Sequence, residues 1–158
     1  MSYHNLMVIS IKVSRMLGMK EYNRAYIKSC RATIDANVKA YDKKVGKAAA
    51  DDKFEPSFFN AQVLLLDYMF VHRLSGIEGK DGNPLNEVRV LCNSLLLNGG
   101  KLQIEKLPGW PNSAVSGLKL PPERSVVGLK SGQTIQLKRD DFVRLAAAFF
   151  EELKKKYS

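Results

Sequence analysis

Residues 57–76, SFFNAQVLLLDYMFVHRLSG, decide the fold. Phe58, Phe59, Val63, Leu64, Leu65, Leu66, Met69, Phe70, Val71 and Leu74 fall on nearly every face of a helical projection, and only Asn60, Gln62, Asp67, His72 and Arg73 break them as strongly polar positions. A helix that is apolar all round has to be surrounded by other elements. Its longest uninterrupted apolar run, Val63 to Leu66, falls far short of the about 20 residues that a bilayer span needs. The stretch therefore reads as the central, buried helix of a domain outside the membrane, with Pro56 suited to its first turn because a helix start leaves that N–H without a partner.

Upstream, Tyr22, Tyr26, Ile27, Cys30, Ile34, Val38, Tyr41 and Val45 recur at steps of three and four, which predicts an amphipathic helix over 20–45 that stops near Gly46. Downstream, the glycine-rich GIEGKDGNP reads as a helix-to-helix loop. Asn83 caps the next helix and Pro84 opens it. Leu85, Val88, Leu91, Cys92, Leu95 and Leu96 then carry that helix from 84 to about 98, where Asn98, Gly99 and Gly100 end it.

Within 101–124, Pro108, Pro111, Pro121 and Pro122 exclude a long helix and predict an ordered surface loop that carries Trp110. SVVGLKSGQTIQL, 125–137, reads as two short strands turning at Ser131 and Gly132. Such a hairpin has to lie on the helices, because an isolated one is only marginally stable. A last helix over 139–156 has Asp140 and Asp141 at its start, an apolar stripe of Phe142, Leu145, Phe149 and Leu153, and Lys154, Lys155 and Lys156 at its end, as the helix dipole favours. The expectation is one mainly α domain over 1–158, a bundle of about four helices with a small β-hairpin before the last. Residues 1–18 read as a loosely attached N-terminal extension, and because Lys12 and Arg15 follow the apolar Val8 and Ile9, this lead does not have the order of a secretory signal.

The chain of 158 residues is 45% apolar and 26% charged, near the globular average, which excludes disordered and collagen-like classes. Its net charge of +9 is unevenly spread: residues 1–53 carry +6, 54–100 carry −2 and 101–158 carry +5. Cationic flanks suit nucleic acid, an acidic partner or plain solubility. Two cysteines, Cys30 and Cys92, both on apolar stripes, give neither a disulfide framework nor a zinc site and point to a reducing compartment, the cytoplasm. With two histidines and no Glu-x-x-His pair, no metal and no cofactor are expected.

The densest polar cluster is HRLSGIEGKDGNPLNEVR, 72–89. As an anion site it would use the amides of Asn86 and Glu87 at a helix start, with His72 or Lys80 adding charge or moving a proton and Arg73 or His72 as the second wall. It lacks the GxxxxGK[ST] of a P-loop and the ligand pattern of an EF-hand. The structural reading, favoured because ion-pair networks gather charge as readily as sites do, has Asp81 and Asn83 serving turn and cap while Arg73 pairs with Glu78 or Glu87. A second feature is the basic arc Lys20, Arg24, Lys28 and Arg31, which could follow a phosphate backbone but accompanies no nucleic-acid recognition motif and reads more simply as a solvated helix face.

The run FVHRLSGIEGKDGNPLNEVR, followed by SVVGLKSGQTIQL and the closing DDFVRLAAAFFEEL, resembles a family of small uncharacterised bacterial proteins across about residues 54–153. The resemblance implies a bacterial soluble protein and carries over no activity and no functional residue. No nucleophile, metal site or cofactor fingerprint can be assembled. The expected function is thus a non-catalytic cytoplasmic binding or interaction protein, with a protein partner, self-association or a small anionic ligand. The alternatives are nucleic-acid binding through 20–31 and an anion-binding enzyme or sensor centred on 72–89.

Overall fold

The computed structural model describes residues 18–45, 53–104 and 118–158. The N-terminal lead up to Leu17, the stretch 46–52 and the part of the proline-rich loop that holds Trp110 lie outside the described residues. Among the described residues five helices follow one another: α1 Arg24–Val45, α2 Phe54–Met69, α3 Ser75–Glu78, α4 Pro84–Leu97 and α5 Arg139–Tyr157. The four long helices are those the periodicity predicts, with shifted ends.

The helix at the centre is α5, which packs against α1, α2, α3 and α4. Its Phe142, Leu145, Phe149, Phe150, Leu153 and Tyr157 are all buried, spread over adjoining faces. Both ends suit the dipole: the Asp141 carboxylate accepts the Lys138 backbone N–H at 3.2 Å, and Lys154, Lys155 and Lys156 occupy the last turn. By contrast, α2 buries Phe59, Gln62, Val63 and Leu66 and leaves Leu64 and Leu65 half-buried and Tyr68 exposed. The all-round apolar helix is therefore not enclosed, and one of its faces meets solvent.

The helix expected over 56–75 stops at Met69. Met19 pairs with the chain beyond it, donating its backbone N–H to His72 O at 2.7 Å and accepting from Leu74 N at 3.0 Å. The chain turns after Met69, with Arg73 N–H bonded to Phe70 O at 3.1 Å, pairs with Met19 across an isolated bridge at Arg73, and re-enters a single helical turn, α3. Likewise the first helix begins at Arg24 rather than residue 20, where the Asn23 side chain accepts the Ala25 N–H at 2.7 Å.

The expected β-hairpin over 125–137 is absent; among the described residues there is no strand. Its two halves find other partners for their backbone groups. The Glu87 carboxylate takes the N–H groups of Val126 and Val127, while Gln133 and Ile135 exchange hydrogen bonds with Gly100 and Leu102 across an isolated bridge, Lys101 to Thr134. The Asn60 side chain completes the set, donating to Ile135 O at 2.9 Å and accepting from Leu137 N at 3.3 Å. Of the apolar residues Val126, Leu129, Ile135 and Leu137 in this stretch, the last two are nonetheless buried and the first two half-buried.

Candidate functional site

Beyond the end of α2 the chain gathers four charged side chains in the interior. The Arg73 guanidinium has no solvent exposure: Nε donates to Glu78 Oε2 at 3.1 Å, Nη1 to Phe70 O at 3.0 Å and Nη2 to Asp67 Oδ1 at 2.9 Å. Its planar face lies over the Phe149 ring, 5.4 Å from the centroid. From α4, Arg89 grips the same Glu78 with Nε at 3.0 Å and Nη2 at 2.6 Å, and the Asn86 amide adds a bond to Oε1 at 3.2 Å. Two carboxylates and two guanidiniums thus close a compensated buried chain. Burial acts to raise the Glu78 carboxyl, but the Arg89 hydrogen bonds and the charges of Arg73 and Arg89 outweigh it and hold the group below the ordinary glutamate range.

The start of α4 is satisfied from within. Asn83 Oδ1 accepts from Leu85 N at 3.0 Å and from Asn86 N at 3.3 Å, and Asn83 O accepts the Glu87 N–H at 3.1 Å. Asn86 accepts from Gly82 N and donates to Gly79 O. Gly82 needs its positive φ of 82°, and the Lys119 carbonyl would lie 2.5 Å from any Cβ there. Glu87 is 1% exposed and accepts from Ser125 Oγ, Val126 N and Val127 N. It is an internal acceptor for the 125–127 segment and does not meet Arg73; of the two expected partners, Arg73 takes Glu78.

The structure therefore buries Arg73, Asn86 and Glu87, the first two meeting at Glu78 and the third turned to the 125–127 segment, and leaves His72 and Lys80 exposed. His72 borders a separate hollow beside Met19, Tyr22, Tyr26 and Met69. Sequence reasoning left Asp67 out of the cluster; its spacing of six from Arg73 corresponds to no helical neighbour and becomes close only because α2 ends at Met69. Cys30 and Cys92 are free and buried, and burial pushes the Cys92 thiol well up, which suppresses thiolate chemistry. Among the described residues no group of three or more His, Cys, Asp or Glu is placed to hold a metal ion, and no helix is long and apolar enough to cross a membrane.

The basic arc is split by the true start of α1. Arg24, Lys28 and Arg31 line a groove of about 430 Å³ with Ile27 on its floor and Lys154 of α5 on its far side, while Lys20 precedes the helix. Arg31 is engaged by Glu151 at 3.2 Å and lies 5.8 Å from the Phe150 ring centroid.

A different feature distinguishes the opposite side of α2. Leu64, Leu65, Asp67, Tyr68 and Val71 line a hollow of about 440 Å³ together with Cys92 and Leu96 of α4. Tyr68 is 75% exposed and Leu96 68%, the two most exposed large apolar side chains among the described residues. Two of the other exposed ones are engaged: Tyr26 donates its hydroxyl to Met69 O at 2.7 Å, and Phe54 stacks on Tyr41. The all-round apolar pattern was the available signal for this face, which sequence reasoning had assigned to the core. The chain matches no protein-family model, no curated protein and no solved structure.

Proposed function

We propose that this chain is a non-catalytic interaction protein of the bacterial cytoplasm, and that it docks a protein partner on the face shared by α2 and α4. The observation that carries this reading is the joint exposure of Tyr68 and Leu96 over one hollow whose lining is apolar except for Asp67. Contiguous apolar surface is uncommon on a solitary soluble domain and marks association, and an aromatic side chain standing proud of a helix groove suits the anchor of an interface. The charged cluster at 72–89 supports the same conclusion from the other direction. Arg73, Asn86 and Glu87 spend their hydrogen-bonding capacity on the chain itself, which leaves an anion-binding enzyme or sensor fewer groups to work with.

The test is site-specific photocrosslinking in cells, with a photoreactive residue at Tyr68, at Leu96 and, as a control, at the exposed Lys130. A discrete protein adduct from the first two positions and none from the third is expected. Equal yields at all three, or none at Tyr68 and Leu96, would sink the reading.

Nucleic-acid binding is the second reading, favoured by the groove that adds Lys154 to Arg24 and Lys28. Affinity for mixed-sequence nucleic acid should then fall steeply with salt, and Arg24→Ala with Lys28→Ala should reduce the logarithmic slope by about two contacts' worth. Binding that ignores salt would remove this reading.

A further inference from the structure

We propose that Met19, Met69 and His72 form a binding site for a soft monovalent metal ion, Cu(I), in the hollow between the start of α1 and the end of α2. The site lies apart from the α2/α4 face and does not rest on the docking role given to it. The hollow, of about 330 Å³, is lined by Met19, Tyr22, Asn23, Tyr26, Met69 and His72. Hydrogen bonds fix the backbones of the three candidate ligands beside it. Met19 N–H donates to His72 O at 2.7 Å, and the Tyr26 hydroxyl, from the first turn of α1, donates to Met69 O at 2.7 Å. Between Met69 and His72 the chain leaves α2 through i→i+3 bonds, Phe70 N to Asp67 O at 3.0 Å and Val71 N to Tyr68 O at 3.3 Å. In so tight a turn, side chains three apart fall on one side. The donor groups are also uncommitted. Met19 is 43% exposed, His72 is exposed, and the His72 imidazole has no hydrogen-bond or ion-pair partner among the described residues. An unbranched thioether turns about three bonds, so both methionines can adjust to an ion that His72 holds.

The donor chemistry selects the ion. Thioether sulfur is a soft, neutral donor that suits Cu(I), and imidazole suits copper as well. Among the described residues no carboxylate and no thiol lines the hollow. Nothing there offsets the double charge of Mg²⁺ or Ca²⁺, which require oxygen ligands, or replaces the thiolate and carboxylate ligands that accompany histidine around zinc. Tyr22 and Tyr26, stacked with ring centroids 6.1 Å apart, wall the site with aromatic surface. The competing soft donors, Cys30 and Cys92, are 6% and 3% exposed. Zinc-type spacing, which the sequence lacks, concerns Cys, His, Asp and Glu and says nothing of a thioether set.

Titration of Ag(I), an air-stable ion of the same charge and softness, into the full chain with isotope-labelled methionine methyl groups tests the site by NMR. The Met19 and Met69 methyl resonances and the His72 imidazole should shift together and saturate at a single equivalent, with Met1, Met7, Met16 and His4 as internal controls. Zn(II) should leave both methyls in place. Under anaerobic competition with a coloured Cu(I) chelator, Met19→Leu, Met69→Leu and His72→Gln should each weaken Cu(I) binding at least about tenfold, with the circular dichroism spectrum unchanged. Met19→Leu alters a side chain that stands partly in solvent, so it keeps the test intact if Met69→Leu does not fold. Four results would each overturn the proposal: shifts at Met7 or Met16 ahead of Met19 and Met69, a response of His72 alone that Zn(II) reproduces, capture of the ion by Cys30 or Cys92, or equal Cu(I) affinity in the variants and the native chain.

Discussion

Glu78 and Arg89 meet through two parallel hydrogen bonds, at 3.0 and 2.6 Å, so that a carboxylate 3% exposed on the single turn α3 is clamped by a guanidinium from α4. Arg73 contacts the same carboxylate from the other side and ties it to Asp67 at the end of α2. The cluster joins three successive helices and carries no net charge. Such a buried set contributes little relative to apolar residues of equal shape, yet breaking it strands a charge.

Arg73→Ala should therefore destabilise the domain by about 3–5 kcal/mol, because it leaves Asp67 and Glu78 buried with one guanidinium between them. For a chain of this size that is a fall in melting temperature of roughly 10 °C or more. Thermal denaturation followed by circular dichroism at fixed protein concentration reads it. A loss below about 1 kcal/mol, the value of an exposed ion pair, would contradict the buried geometry.

The four long helices were legible because steps of three and four survive whatever packs on them; Ile27, Ile34, Leu91 and Phe149 are all buried as their stripes predict. The Asn83 and Pro84 start was legible because its physics is local. What failed depends on partners distant in sequence. Nothing near 125–137 says that Glu87, some 40 residues upstream, will claim the amides of Val126 and Val127, or that Asn60 will serve Ile135 and Leu137. The central role passed to α5 for the same reason: apolar content says that a helix seeks cover, and only the assembled packing says how much it receives. Of the candidate site residues, Arg73 and Asn86 meet at Glu78 while Glu87 turns to the 125–127 segment, and residue type could not separate an open cradle from one filled by Asn83.

Acid should weaken the domain through Glu78. Its folded carboxyl titrates below the unfolded one, whose value is about 4.3, so the unfolded state binds the proton first as pH falls. The stability it contributes is thus full above about pH 5 and is lost as pH drops through and below the unfolded value. Asp42, lowered by its hydrogen bond from Arg139, and Asp81, lowered by that from Asn83, act in the same direction. Urea unfolding between about pH 3 and 7 should show this loss. In Glu78→Gln the protein should be less stable near neutrality and the acid-dependent loss smaller; an unchanged slope would contradict the assignment.

Glu87 orders the segment that takes the place of a hairpin. Glu87→Gln keeps one carbonyl oxygen but loses the charge that receives Ser125 Oγ at 2.6 Å and Val126 N at 2.8 Å, and should cost about 1–3 kcal/mol. The effect should be local first: amide exchange of Val126 and Val127 should accelerate while that of Leu145 and Phe149, inside α5, follows only the global change. If the two regions accelerate equally, the segment unfolds with the whole domain and the role assigned to Glu87 is too narrow.

Three leucines on neighbouring turns of α2 and α4 make the exposure of the apolar face measurable. Leu66 is fully buried, Leu65 is half-buried and Leu96 stands in solvent. Truncation to alanine should cost about 2–5 kcal/mol at Leu66, where the lost contacts leave a cavity. At Leu65 the cost should be intermediate, since only part of the side chain is removed from water to begin with. At Leu96 it should fall within about 0.5 kcal/mol of zero, provided that stability is measured at a protein concentration low enough to exclude association. Aspartate sharpens the contrast: Leu66→Asp buries an unpaired charge and should not fold, whereas Leu96→Asp should fold normally. Leu65 separates the enclosed helix that the sequence predicts from the open one in the structure. A helix enclosed on every side would make Leu65→Asp as damaging as Leu66→Asp, whereas the open face lets the carboxylate turn toward water, so a folded Leu65→Asp protein with a lowered melting temperature is the expected outcome.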